Sequence, residues 1–139
     1  EKGNAGVAAR IKSRIGSIGY VNQSYIRGDV RAAALENKSG ESLMPSVEAG
    51  AVALNGIALD DNLAGTDPNP AAEGAYPIST LTWVLAYKTG NGTDAAVLKD
   101  AFNYMLSDAA QNKASSMGFV PLKGENLNKA KAAIQTIGQ

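Results

Sequence analysis

The sequence predicts an α/β chain, and three observations carry that expectation. Helix signals recur in four stretches, short runs of β-branched and aromatic residues sit between turn residues, and the two kinds of run follow one another along the chain. With 139 residues, 45% of them hydrophobic, there is enough material to bury a core.

The first helix is expected from Gly3 to about Arg14, with Asn4 as N-cap and Lys12 and Arg14 near the negative C-terminal end. Ile15-Gly16 closes it. Ser17-Ile18-Gly19-Tyr20-Val21 then reads as a strand, bounded by Gly16 and the polar Asn22-Gln23-Ser24. The Arg31–Leu35 run suits either state, but Asn37-Lys38-Ser39-Gly40 is a turn and points to a strand pair around it. Ser46 caps a helix in which Val47, Ala51, Leu54 and Leu59 share a face, weakened by Gly50 and ended or kinked at Gly56. Between Asp60 and Ala75 the chain turns to Asp, Asn, Gly and Pro, the best boundary in the sequence.

The strongest strand signal follows, from Tyr76 to Tyr87. Leu81, Trp83, Leu85 and Tyr87 alternate on one face, while Val84 and Ala86 make the second half apolar on both, as in a sheet covered by helices. Thr93-Asp94 opens a long helix whose Val97, Leu98, Ala101, Phe102, Met105, Leu106, Ala109 and Ala110 repeat at helical spacing. Gly118 is placed as its C-cap, Phe119-Val120-Pro121-Leu122 as an extended piece, and Leu127–Ile137 as a last amphipathic helix.

Composition narrows the chemistry. Thirteen basic and thirteen acidic side chains cancel, so no broad field draws nucleic acid or an anionic membrane surface. There is no His and no Cys, which removes thiol nucleophiles, disulfides, Cys/His zinc sites and His-based catalysis together. No apolar run of about 20 residues is present to span a bilayer. The chain begins at Glu1 without Met, which suggests that something upstream was removed.

Few motifs carry chemistry. Asp60-Asp61-Asn62-Leu63-Ala64-Gly65 matches the first half of a calcium loop, but Ala71 stands where a bidentate Glu is needed, so a solvated turn is the better reading. Lys2, Gly3 and Asn4 are the candidate ligand-binding residues, because a helix start presents backbone N–H groups to an anion; a plain cap explains the same residues. Trp83 and Tyr87 could stack on a ring, but their alternation with Leu81 and Leu85 favours core packing. No phosphate loop, metal set or catalytic constellation is specified.

Taken in order, Gly3-Asn4-Ala5-Gly6-Val7-Ala8, Gly16-Ser17-Ile18-Gly19-Tyr20-Val21, Ala75-Tyr76-Pro77-Ile78-Ser79-Thr80-Leu81-Thr82-Trp83-Val84-Leu85 and Gly118-Phe119-Val120-Pro121-Leu122 form a signature. It resembles the C-terminal half of the phosphate-binding proteins that feed the bacterial phosphate ABC transporter. The resemblance implies an incomplete segment of a type 2 periplasmic-binding-protein fold, whose two α/β lobes close on one inorganic phosphate ion. It implies an exported, periplasmic carrier that is not an enzyme and holds no cofactor or metal. On this reading residues 1–74 are the remainder of the second lobe and 75–139 return the chain into the first. The implied partners are the membrane permease and the missing N-terminal half of the same protein, which could be a separate chain; nucleic acid is not among them.

The family holds phosphate with hydroxyls and main-chain N–H groups near its beginning, an Asp, and an Arg-x-x-x-Ser-Gly-Thr motif before the Gly-Asn helix. None of these is present, so no ligand residue transfers and the site is expected upstream of Glu1. Two alternatives remain within reach of the sequence: a binder or sensor of another oxyanion, and part of an α/β enzyme with its catalytic residues upstream.

Overall fold

A computed structural model describes residues 1–138. In chain order it contains α1 (Gly3–Ser13), a 3-10 turn (Gln23–Tyr25), β1 (Leu35–Glu36), β2 (Ser42–Leu43), α2 (Val47–Asn55), α3 (Asp94–Met105), α4 (Asp108–Ser116) and α5 (Gly124–Gln135). The sheet is a single antiparallel pair with Leu35 opposite Leu43 and Glu36 opposite Ser42. The α/β expectation therefore holds only as a partial α/β chain.

Local signals fixed the elements they could reach. Ser46 caps α2 by accepting the Ala49 N–H at 3.0 Å. Asn37 to Gly40 form the turn between β1 and β2, as the turn residues indicate. Gly118, at φ +81°, ends α4: its N–H reaches the Ser115 carbonyl and the next N–H, of Phe119, reaches Ala114. That pair of hydrogen bonds needs a left-handed residue, which glycine supplies without a Cβ clash. Gly50, which weakens α2 on propensity, is needed by packing: a Cβ there would lie 2.8 Å from a Val120 methyl, so the Phe119–Leu122 stretch approaches closely only over glycine.

Other expectations need correction. Lys2 is the N-cap of α1, and Asn4 lies inside the first turn, its side chain accepting the Asn22 N–H at 2.9 Å. Thr93 makes no side-chain cap bond to α3. The long helix expected from Thr93 onward breaks at Leu106. Ser107 there accepts the Ala110 N–H and starts α4, while Gln111 Nε2 donates to the Met105 carbonyl at 2.7 Å and satisfies the end of α3. Leu98, Phe102, Leu106 and Ala110 are half-buried, but Val97, Ala101, Met105 and Ala109 of the same predicted face are exposed.

The two strongest strand signals form no ladder. Among the described residues Ser17–Val21 finds no strand partner, and Ile18 and Tyr20 are 94% and 92% exposed. The run expected as a strand from Tyr76 to Tyr87 likewise finds no strand partner among the described residues, and Trp83, Leu85 and Tyr87 stand in the open rather than in a core, with Leu85 94% exposed. A strand is stabilised by neighbours on both edges and faces, and none of the described residues supplies them.

The core is accordingly small. Val30, Ala53, Ile57, Ala75, Ile134 and Ile137 are its buried apolar members apart from Ala8 in α1, and no residue between Pro77 and Ile134 is buried. Accessible surface totals 9497 Å², where a compact monomer of this mass would expose about 6,800 Å². The excess is the open faces of the unpaired segments.

Candidate functional site

The candidate residues Lys2, Gly3 and Asn4 stand at the start of α1, where Gly3 takes φ +66°. Gly3 and Asn4 form part of the wall of an open cleft of about 810 Å³ between α1 and the Ile15–Tyr20 stretch, together with Arg10 and Arg14; Lys2 lies outside that lining. The two guanidinium groups give the cleft a basic wall, offset by Glu1, whose carboxylate lies 3.7 Å from Arg10. The Asn4 side-chain oxygen is engaged by the Asn22 N–H rather than by the helix's own first N–H groups.

A second, smaller cleft of about 250 Å³ lies where α2 ends and α5 begins. Asn126 Nδ2 donates to the Leu54 and Ile57 carbonyls at 3.4 Å each, and Lys129 Nζ donates to the Leu59 carbonyl at 2.7 Å while pairing with Glu125 at 3.2 Å. Leu54 lies in the last turn of α2 and Ile57 and Leu59 just beyond it, so α5 ties down the chain where it leaves that helix. Both side chains are spent on backbone, so the cleft is a structural joint more than a ligand pocket.

Sequence reasoning missed the best-ordered polar cluster. Asn37, only 4% exposed, accepts the N–H groups of Ser39 and Glu41 on its Oδ1 and donates from Nδ2 to Glu41 and to the Ala75 carbonyl at 3.2 Å. Glu41 Oε2 in turn accepts the Gly74 N–H at 2.7 Å and the Ser39 hydroxyl at 3.0 Å. The Gly74 N–H, then Asn37 and Ser39, hold the Glu41 carboxyl below its usual range, against a smaller opposing effect of desolvation. Tyr76, its N–H on the Ala49 carbonyl and its hydroxyl donating to Ala33 at 3.4 Å, is pushed up by burial. The only signal in the sequence was the turn itself, because burial under a segment 38 residues away leaves no local trace.

Asp60, read against a calcium loop, accepts the Asn62 and Ala64 N–H groups on one carboxylate oxygen and so closes a turn. Among the described residues there is no group of three acidic side chains placed to hold a metal, and no buried side-chain polar atom lacks a partner. None of the described helices is long and apolar enough to cross a membrane.

No family model matches the chain. It is similar, however, to curated relatives bearing one name. Phosphate-binding protein PstS of Xylella fastidiosa strain Temecula1 is 34% identical over 137 residues, covering 94% of this chain and 37% of the relative. The protein of the same name from Pasteurella multocida is 29% identical over 141 residues, with 97% and 40% covered. That of Methanocaldococcus jannaschii is 28% identical, with 87% and 35% covered. The chain thus spans somewhat over a third of the length of the curated relatives it matches. The resemblance carried by the four ordered motifs is borne out: along nearly its whole length, this chain is related to a part of the phosphate-binding proteins.

Proposed function

We propose that the protein carrying this chain captures inorganic phosphate for import by an ABC transporter, and that this chain supplies scaffold to the carrier rather than the anion's ligands. The similarity to phosphate-binding proteins over 94% of the chain carries the reading. A composition without His or Cys supports a carrier that works by hydrogen bonding, with no metal or nucleophile. Selectivity in such a site comes from dehydration: every donor and acceptor is paired with the right anion and left unpaired by the wrong one.

In mechanism, residues 1–74 belong to one α/β lobe and 75–139 return the chain toward the other, with the two lobes closing on the ion before presentation to a membrane permease in the periplasm. The remaining polypeptide supplies the phosphate ligands. It also supplies the missing neighbours of Ser17–Val21 and Leu81–Tyr87, whose exposed Ile18, Tyr20, Leu85 and Tyr87 favour a covering partner.

Calorimetric titration of the complete protein with phosphate, repeated with sulfate as competitor, tests the reading. Heat with phosphate that sulfate leaves unchanged is expected. No phosphate heat overturns the proposal, and displacement by sulfate reassigns the carrier to a broader oxyanion class.

A further inference from the structure

Two asparagines of the chain precede glycine, in Asn55-Gly56 and Asn91-Gly92. An asparagine in that position can react with its own backbone, because no Cβ shields the glycine nitrogen and the side-chain amide carbon is held within its reach. The two pairs sit in opposite surroundings. Asn55 is the last residue of α2, and Gly56 continues the helical geometry at φ -78° and ψ -11°, with its N–H on the Ala53 carbonyl at 3.3 Å. Ring closure there would unwind the last turn and disturb the joint where Asn126 holds the Leu54 and Ile57 carbonyls.

Asn91 lies outside helix and strand, in the turn that leads into α3. Gly92 is exposed at φ +53°, and a Cβ built on it would meet nothing within 4 Å, so the flank of its nitrogen is open to solvent. Among the described residues nothing accepts from the Gly92 N–H, in contrast to that of Gly56. The turn is bracketed rather than packed: the Gly138 N–H reaches the Lys88 carbonyl at 2.6 Å on one side, and the Asp94 N–H reaches the Asn91 carbonyl at 3.0 Å on the other. The Asn91 amide donates to the Tyr87 carbonyl at 2.7 Å, an exposed bond that water replaces at small net cost.

We propose that Asn91 is a site of spontaneous deamidation in the folded protein, and that the end of α2 protects Asn55 from the same reaction. The Gly92 nitrogen gives up its proton to base and bonds to Asn91 Cγ, the Cγ–Nδ2 bond breaks, and the amide nitrogen leaves as ammonia. Water then opens the cyclic imide at either carbonyl, leaving an aspartate or an isoaspartate whose main chain runs through the side-chain carbon. Overall, amide and water give acid and ammonia, with no change of oxidation state. The product sets a carboxylate close to Asp94 at the start of α3 and removes the donor to Tyr87, and the isoaspartate also lengthens the turn by a methylene. This chemistry belongs to the chain itself and holds whatever ligand the protein carries.

The test incubates the complete protein at mildly alkaline pH, once folded and once in denaturant, and digests it with trypsin at mildly acidic pH, where the reaction is slow. The two pairs fall in separate peptides, Ser39–Lys88 and Thr89–Lys99. Conversion is read as the mass difference between amide and acid, and fragmentation locates the converted residue and tells isoaspartate from aspartate. In the folded protein Asn91 is expected to convert roughly tenfold faster than Asn55, whose Gly56 must first give up a hydrogen bond, while in denaturant the two rates converge. Asn91→Gln, whose extra methylene disfavours the ring, keeps Thr89–Lys99 unconverted. Conversion of Asn91 no faster than that of Asn55 in the folded protein overturns the proposal, and so does a preference for Asn91 that persists undiminished in denaturant.

Discussion

The hairpin region from Val30 to Pro77 and the stretch from Ile78 to Met117 draw on similar material and end in opposite conditions. In the first, a two-residue ladder, α2 and the Asn37 cluster enclose Val30, Ala53, Ile57 and Ala75. In the second, the most β-prone run in the sequence finds no strand partner among the described residues, and Trp83, Val84, Leu85 and Tyr87 face outward beside an α3 whose Val97 and Met105 are also exposed. The first closes because its partners lie within about forty residues of one another, Asn37 meeting Ala75 across 38. The second has the residues of a sheet without the neighbours, and β propensity is mostly a measure of what a pleated surface packs against.

The comparison breaks most sharply at Asn37. Asn37→Ala removes the acceptor of two turn N–H groups and the donor to Ala75, and should destabilise the protein by about 3 kcal/mol in chemical denaturation. A change under about 0.5 kcal/mol would mean that water satisfies the turn as well as Asn37 does.

Leu85→Ala probes the other region by context. In the 139-residue chain the side chain is almost wholly exposed, so the expected effect is within about 0.5 kcal/mol. In the complete protein, where we propose covering strands, the same change should cost about 2 to 3 kcal/mol. Equal small effects in both would leave Leu81–Tyr87 a surface segment.

The smallest effect lies at acid pH. The Glu41 carboxyl is held low in the folded protein, so between its folded and ordinary values the unfolded chain binds the extra proton and stability rises with pH. The contribution is complete above the ordinary carboxylate value and is lost as pH falls through the lowered one. Glu41→Gln, whose side-chain oxygen can take over the Gly74 bond without the charge, should flatten the acid limb of a melting-temperature profile and leave neutral pH nearly unchanged. An identical acid limb in both proteins would remove Glu41 from the cluster.

Legibility followed range. Ser46, the Asn37–Gly40 turn and Gly118 were readable because a cap or turn is satisfied within a few residues of itself. The break between α3 and α4 was readable in principle, since Ser107-Asp108 is a start signal, but apolar periodicity running through Leu106 to Ala110 concealed it. Of the candidates at the helix start, Gly3 and Asn4 wall a cleft, Lys2 does not, and the Asn4 side chain accepts from Asn22, a partner eighteen residues away that no local pattern announces. No sequence signal marked Asn126 and Lys129 as the groups that hold the chain as it leaves α2, because the carbonyls they meet are about seventy residues away.

By itself, then, the sequence determined the local stops and starts, the exclusion of thiol and histidine chemistry, and the four ordered motifs that relate the chain to phosphate-binding proteins. Only the tertiary structure decided that Asn37 is buried and clasps Gly74–Ala75, that the chain changes hand at Ile78, and that the strongest strand run stands unpaired. Caps and turns are contracts between neighbours, whereas burial and strand pairing depend on which distant segments are present to receive them.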